Sequence, residues 1–125
     1  MNSEIFTKRA PEAIGAYSQG RVSNGLLFTS GQLPIDPNTG KMIEGSVSDL
    51  ARQCLDNLSA IAETAGTKLT RAVKANLYLA DMKDAVEVNS TYATYFAPPY
   101  PVRTLVQVAA LPLNARIEIE AVIAL

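Results

Sequence analysis

Three charged side chains near the end of the chain sit where charge is expensive. Arg103 lies in Pro101-Val102-Arg103-Thr104, and Glu118 and Glu120 lie in Ile117-Glu118-Ile119-Glu120. Both segments are apolar and strand-like, and a charge buried there needs a partner or a ligand. A guanidinium can hold a planar carboxylate through two parallel hydrogen bonds. A carboxylate facing the same cavity can orient or activate water. The combination points to a site for a small carboxylic acid that reacts with water. For Arg103 alone, an interface ion pair with a glutamate is the competing reading.

Glu118 and Glu120 fall on one face of a strand, with Cα atoms roughly 6.5–7 Å apart. They form either an acid/base pair or a solvated, salt-bridged strand face. Tyr17 offers a hydroxyl to such a site, or packs in a hairpin. Ser30 and Gly31 can present backbone N–H groups, because glycine admits close approach, or simply end a strand. Asn89 can supply an amide, or be a polar helix position near the surface. Cys54, Asp81 and Asp84 read as a core residue and two helix-start residues rather than as nucleophile or metal ligands.

Composition narrows the chemistry further. The chain has 125 residues, 48% of them hydrophobic, with net charge −1, one cysteine and no histidine. This length suits one domain, 1–125, with a sizeable core. Without histidine, Ser-His-Asp and Cys-His mechanisms are excluded within one chain, as are histidine-built zinc sites. Chemistry must therefore run on Arg, Glu, Asp, Tyr, Ser, Lys, backbone groups and water. The near-neutral charge and the lack of a Lys/Arg cluster give no support for nucleic-acid binding. No apolar run reaches the ~18 residues that span a bilayer. Met1-Asn2-Ser3-Glu4 lacks the pattern of a secretory leader, so a cytoplasmic location is expected.

The elements that must position these residues follow from periodicity. Ala16 to Ser30 reads as a hairpin turning at Asn24-Gly25. Pro34 to Gly40 reads as a loop. Ser46 to Ala65 is a helix with a capping-box start at Ser46 and Asp49, an apolar stripe through Leu50, Cys54, Leu58 and Ile61, and Gly66 as its stop. Lys74 to Ala80 alternates as a strand. A second helix is expected from about Met82 to Phe96, capped by Asp81 and ended by Pro98, Pro99 and Pro101. Thr104 to Ala110 and Arg116 to Ile123 are expected to form a closing hairpin. The sum is an α+β layer, two helices on one face of a mixed sheet. Nothing in the chain is left to cover the other face, which implies a homo-oligomer.

Several blocks resemble one family. Gly15-Ala16-Tyr17-Ser18-Gln19, Phe28-Thr29-Ser30-Gly31-Gln32, Asn89 with Tyr92, Tyr95 and Phe96, and Arg103 through Glu120 are similar, in order and spacing, to the reactive intermediate deaminases (Rid or YjgF). The resemblance implies a chorismate-mutase-like subunit in a homotrimer with active sites between chains. It implies hydrolysis of 2-iminopropanoate and 2-iminobutanoate to 2-keto acids and ammonia, without a metal or organic cofactor. Arg103 then matches the family's carboxylate-binding arginine, Glu118 its water-positioning residue and Tyr17 its active-site tyrosine. Ser30, Gly31 and Asn89 would complete the substrate contacts. Tyr92, Tyr95 and Phe96 are left to packing, and Glu120 to a structural role, paired with a basic residue. One departure is Leu105, where many of these deaminases carry cysteine. If that thiol tunes preference, leucine shifts it toward apolar side chains. A metabolite-binding protein without turnover, and an endoribonuclease or translation inhibitor, are the alternatives.

Overall fold

The computed structural model describes residues 3–125, so the reading of Met1 and Asn2 lies outside the described residues. The elements are β1 (Glu4–Ile5), β2 (Gly20–Ser23), β3 (Leu26–Thr29), β4 (Ile35–Asp36), β5 (Lys41–Met42), α1 (Val47–Thr64), β6 (Ala72–Leu79), α2 (Ala85–Ala93), β7 (Val102–Gln107) and β8 (Ile117–Ala124). Six strands form one mixed sheet in the order β1-β2-β3-β8-β6-β7, and only the β6-β7 pair is parallel. Both helices pack on one face of it, giving the expected α+β layer.

Local chemistry accounts for the elements. In the β2-β3 turn, Asn24 and Gly25 take φ of 52° and 76°, the left-handed pair that a tight two-residue hairpin turn requires. Helix α1 opens on a reciprocal capping box. Ser46 Oγ accepts from the Asp49 N–H and Asp49 Oδ2 accepts from the Ser46 N–H, each at 3.2 Å. Its stripe of Leu50, Cys54, Leu58 and Ile61 is buried against Leu77, Ile117, Ile119 and Ile123 of the sheet. Strand β8 alternates without a break: Ile117, Ile119, Ala121 and Ile123 face the helices, and Glu118, Glu120 and Val122 point the other way.

Strand pairing at the end of the chain differs from expectation. Strands β7 and β8 do not form a hairpin; they flank β6, β7 parallel and β8 antiparallel to it. The burial patterns explain this. Strand β8 buries every second residue and takes a central place with a partner on each side, whereas most of β7 is exposed and it takes the edge. Residues 108–116, with a 3₁₀ turn at Pro112–Asn114, are long enough to cross the end of β6. The second helix is also shorter than expected. Met82–Asp84 form a 3₁₀ turn, and α2 covers only Ala85–Ala93. Asp84 is turned toward Arg116 (3.1 Å to each carboxylate oxygen) rather than capping the helix. At the other end, Thr94 and Tyr95 N–H groups reach back three residues to Thr91 and Tyr92, which tightens and stops the last turn. The segment read as a loop, residues 34–40, contains β4 and the turn that leads into β5, with Asp36 Oδ1 accepting from the Asn38 N–H at 2.8 Å.

The sheet face away from the helices is bare in one chain. Phe28, Val102 and Val106 lie on it, 44%, 66% and 38% exposed. Glu120 lies there too. Its Oε1 accepts from Asn76 Nδ2 (3.0 Å) and from the Tyr78 hydroxyl (2.9 Å), so its partners are neutral and not the basic residue expected.

Candidate active site

The sequence-derived site residues fall into two groups. The first surrounds the end of β3 and the start of β8. Tyr17, Ser30, Gly31 and Glu118, with Ile14, Leu33 and Pro112, line a cavity of about 280 Å³. Gly31 carries the geometry: a Cβ built on it would stand 2.7 Å from Glu118 Oε2 and 2.8 Å from its carboxyl carbon. The Glu118 carboxylate therefore occupies the space a side chain would fill. Burial, and then the neighbouring Glu120 charge, push the Glu118 pKa above its ordinary value. That makes Glu118 a better proton acceptor than an exposed glutamate.

Tyr17 is set by its own turn. The Ile14 N–H donates to its hydroxyl oxygen at 3.1 Å, and the Tyr17 N–H donates to the Gly15 carbonyl at 2.9 Å. The phenolic proton stays available as a donor. Of the two backbone donors considered at 30 and 31, the Ser30 N–H is already spent on the Gln19 carbonyl (2.9 Å). Ser30 Oγ lies 3.3 Å from the same carbonyl and accepts from Gln32 Nε2 at 3.2 Å. Ser30 lines the cavity but its N–H is not free. At Gly31 the neighbouring space is held by the Glu118 carboxylate.

Gln19, quoted only as part of a motif, holds this half of the site together. It is 3% exposed. Its Oε1 accepts from the Thr7 N–H at 2.7 Å, and its Nε2 reaches the carbonyls of Thr7, Ala10 and Pro11 at 3.0, 3.2 and 2.8 Å. One amide thus pins the segment that leads to Ile14 and Tyr17, while the same residue's carbonyl anchors Ser30. Only a fold that buries position 19 shows this. A larger hollow of about 410 Å³, lined by Lys8, Pro11, Glu12, Pro37 and Gly40 among others, adjoins the same segment but contains none of the charged residues named above.

The second group sits on the edge strand and α2. Arg103 Nη1 donates to Asn89 Oδ1 at 2.7 Å, and the guanidinium carbon lies 5.0 Å from the centroid of the Tyr92 ring. Among the described residues Arg103 makes no ion pair with a carboxylate of its own chain. With Nη1 on Asn89, the Nε–Nη2 edge is open for a side-on carboxylate fork.

One chain does not bring the two groups together. Arg103 is in register with Ala75, and Ala75 with Ala121, all on the helix side of the sheet. Glu118 is in register with Tyr78 on the bare side. Strand β6 separates them, and the period of two along each strand assigns them to opposite faces. The expectation that arginine and glutamate face one cavity is not met inside a single chain. Leu105, two residues after Arg103, is paired with Leu77 and packs against the core. Cys54 is fully buried, and burial pushes its thiol pKa up. Among the described residues no cluster of His, Cys, Asp and Glu could hold a metal ion, and no helix is long and apolar enough to cross a membrane.

The fold is an α+β layer of two helices on one face of a mixed sheet. The model of the family described as Endoribonuclease L-PSP matches residues 7–125. The chain belongs to this family, also called YjgF or Rid. It is 48% identical to the RutC family protein y4sK of Sinorhizobium fredii over 125 residues, covering 100% of this chain and 99% of that one. It is 46% identical to the 2-iminobutanoate/2-iminopropanoate deaminase of Rattus norvegicus over 118 residues, 94% of this chain and 86% of the rat protein. Among solved structures, E. coli TdcF with bound serine superposes with a TM-score of 0.91 at 38% identity, covering 98% of each chain.

Proposed function

We propose that this protein hydrolyses short 2-imino acids, 2-iminopropanoate and 2-iminobutanoate, to 2-keto acids and ammonia. The observation that carries the reading is the pair of complementary half-sites on opposite sheet faces of one chain. One half holds an open guanidinium edge, and the other holds a half-buried carboxylate in the same cavity as a phenolic donor. The bare sheet face provides an apolar surface for association, and a homotrimer with sites between chains, as the family resemblance implies, would join Arg103 of one chain to Glu118 of the next. The rat relative's name and the serine in TdcF, whose α-carboxylate suits the same fork, support this substrate class.

In this scheme Arg103, steadied by Asn89, pairs with the substrate carboxylate, and the Gly31 backbone meets it from the other side. Glu118 accepts a proton from water as the water oxygen bonds to C2 of the protonated imine. Tyr17 donates to the bound ligand and holds its orientation. The proton on Glu118 passes to the amino nitrogen of the resulting carbinolamine. Glu118, ionised again, takes the proton of the carbinolamine hydroxyl as the C–N bond breaks, which gives the 2-keto acid and ammonia; that proton then leaves on ammonia as ammonium or to solvent. A protonated imine is already electrophilic, so the residues need only position water and move protons. Such imines form from the enamines released by pyridoxal-phosphate-dependent dehydratases, and the role served is removal of a reactive species in the cytoplasm.

A coupled assay tests the reading. Threonine dehydratase generates the imine, and semicarbazide traps what survives. The wild-type chain is expected to lower the trapped imine sharply, and Arg103→Ala to behave as if no enzyme were present. Unchanged trapping by wild type across short side chains, together with binding of a stable 2-keto acid, would replace this reading with a metabolite-binding role. Cleavage of RNA that persists in purified Arg103→Ala would place the activity in the family's description outside this site.

A further inference from the structure

We infer that Tyr92 is a positioning residue for the Arg103 guanidinium, acting through its ring face and not through its hydroxyl; the inference rests on the carboxylate role proposed for Arg103. Asn89 and Tyr92 are three residues apart on α2 and so share one helix face. Both meet Arg103, Asn89 by a hydrogen bond to Nη1 and Tyr92 by placing its ring centroid 5.0 Å from the guanidinium carbon. A single hydrogen bond leaves the guanidinium plane free to swing about that contact. A ring face beneath it removes this freedom and fixes the direction of the remaining Nε–Nη2 edge.

The ring is itself packed on both the core and a second ring. Tyr92 is 6% exposed and its centroid lies 4.6 Å from that of Phe96, tilted by 35°. Among the described residues the buried Tyr92 Oη finds no hydrogen-bond partner. A buried hydroxyl without a partner is a cost. What Tyr92 contributes to the site is therefore the aromatic face. Arg103 is exposed, so the cation–π contact holds a charge and leaves it accessible.

The test compares Tyr92→Phe, Tyr92→Leu and Tyr92→Met with wild type and Arg103→Ala. Three quantities are read: KM and kcat for imine hydrolysis, Kd for 2-ketobutanoate, and the NMR signal of the Arg103 side-chain Nε–H. Tyr92→Leu and Tyr92→Met are expected to raise KM and Kd about five- to tenfold, the size of a partly exposed cation–π contact, with kcat within about twofold of wild type. Their Arg103 Nε–H signal is expected to lose the dispersion and slow exchange of a fixed group. Tyr92→Phe is expected to match wild type in all three and to melt no lower. Tyr92→Met serves where Leu leaves the chain poorly folded. Wild-type Kd and an unchanged Nε–H signal in the ring-less variants would overturn the inference, as would a loss in Tyr92→Phe equal to that in Tyr92→Leu. If instead Arg103→Ala itself binds 2-ketobutanoate as wild type does, the carboxylate role of Arg103 fails, whatever the Tyr92 variants do.

Discussion

The Glu118 carboxylate rests on the bare backbone of Gly31, with Oε2 only 2.7 Å from where a Cβ would stand. The contact ties two segments far apart in sequence, and it depends on the absence of one carbon. Gly31→Ala must displace Glu118, a movement of a functional group and not of the core. We expect the variant to fold with a Tm within a few degrees of wild type and to lose about 100-fold in kcat/KM, because a shift of about 1 Å in a positioned group costs that much. Steady-state kinetics alongside thermal melting checks both halves.

Glu118→Gln is expected to abolish imine hydrolysis and raise stability at neutral pH. The native pKa of Glu118 is raised by burial and by Glu120, so the folded chain holds this proton more tightly than the unfolded chain. The associated stabilisation is present below the ordinary carboxylate pKa and is lost as pH rises through the raised native value. Wild type and Glu118→Gln should therefore melt together at low pH, with the variant about 2–4 °C higher once Glu118 is ionised. Paired melts across pH would refute this if the gap were flat.

The half-sites should complement between chains. Neither Arg103→Ala nor Glu118→Gln is expected to be active alone. Unfolded together and refolded as a mixture, they should regain about a quarter of wild-type activity, since a ring interface joins an intact Arg103 to an intact Glu118 in that share of sites. No recovery in verified mixed oligomers would mean that one chain supplies both residues.

Arg103→Lys keeps the charge and removes the fork. We expect KM to rise about tenfold or more, with a smaller change in kcat, as for loss of a bidentate carboxylate contact. Equal KM values for Lys and Arg at this position would show that charge alone is read.

Gln19→Ala leaves the Thr7 N–H and the carbonyls of Thr7, Ala10 and Pro11 without their partner. Buried groups stripped of hydrogen bonds each cost about 1–3 kcal/mol, partly recovered by water. A loss of about 2–4 kcal/mol in urea unfolding is expected, and Gln19→Glu, which sets a buried carboxylate against three carbonyl oxygens, should recover none of it.

Sequence by itself determined the elements whose cause is local. Asn24-Gly25 can hardly be anything but a tight turn, and Ser46 with Asp49 closes a capping box because both partners lie within one turn of helix. The isoleucine and glutamate alternation of β8 predicts a strand with a buried and an open face. The site residue types were legible for the same reason: an arginine, two glutamates and a close-approach glycine stand out against apolar neighbours. Tertiary structure alone decided what depends on neighbours remote in the chain. The place of β8 between β3 and β6, instead of beside β7, follows from which strand gains most by burial on both edges, and no short-range pattern encodes that comparison. The start of α2 goes with Asp84 turning to Arg116, thirty-two residues away. The Ser30 N–H was removed from the donors by Gln19, and Arg103 and Glu118 were sent to opposite faces by the registers of β6 with β7 and β8. Periodicity can say that two residues of one strand share a face. Only pairing between strands says whether residues of two strands do.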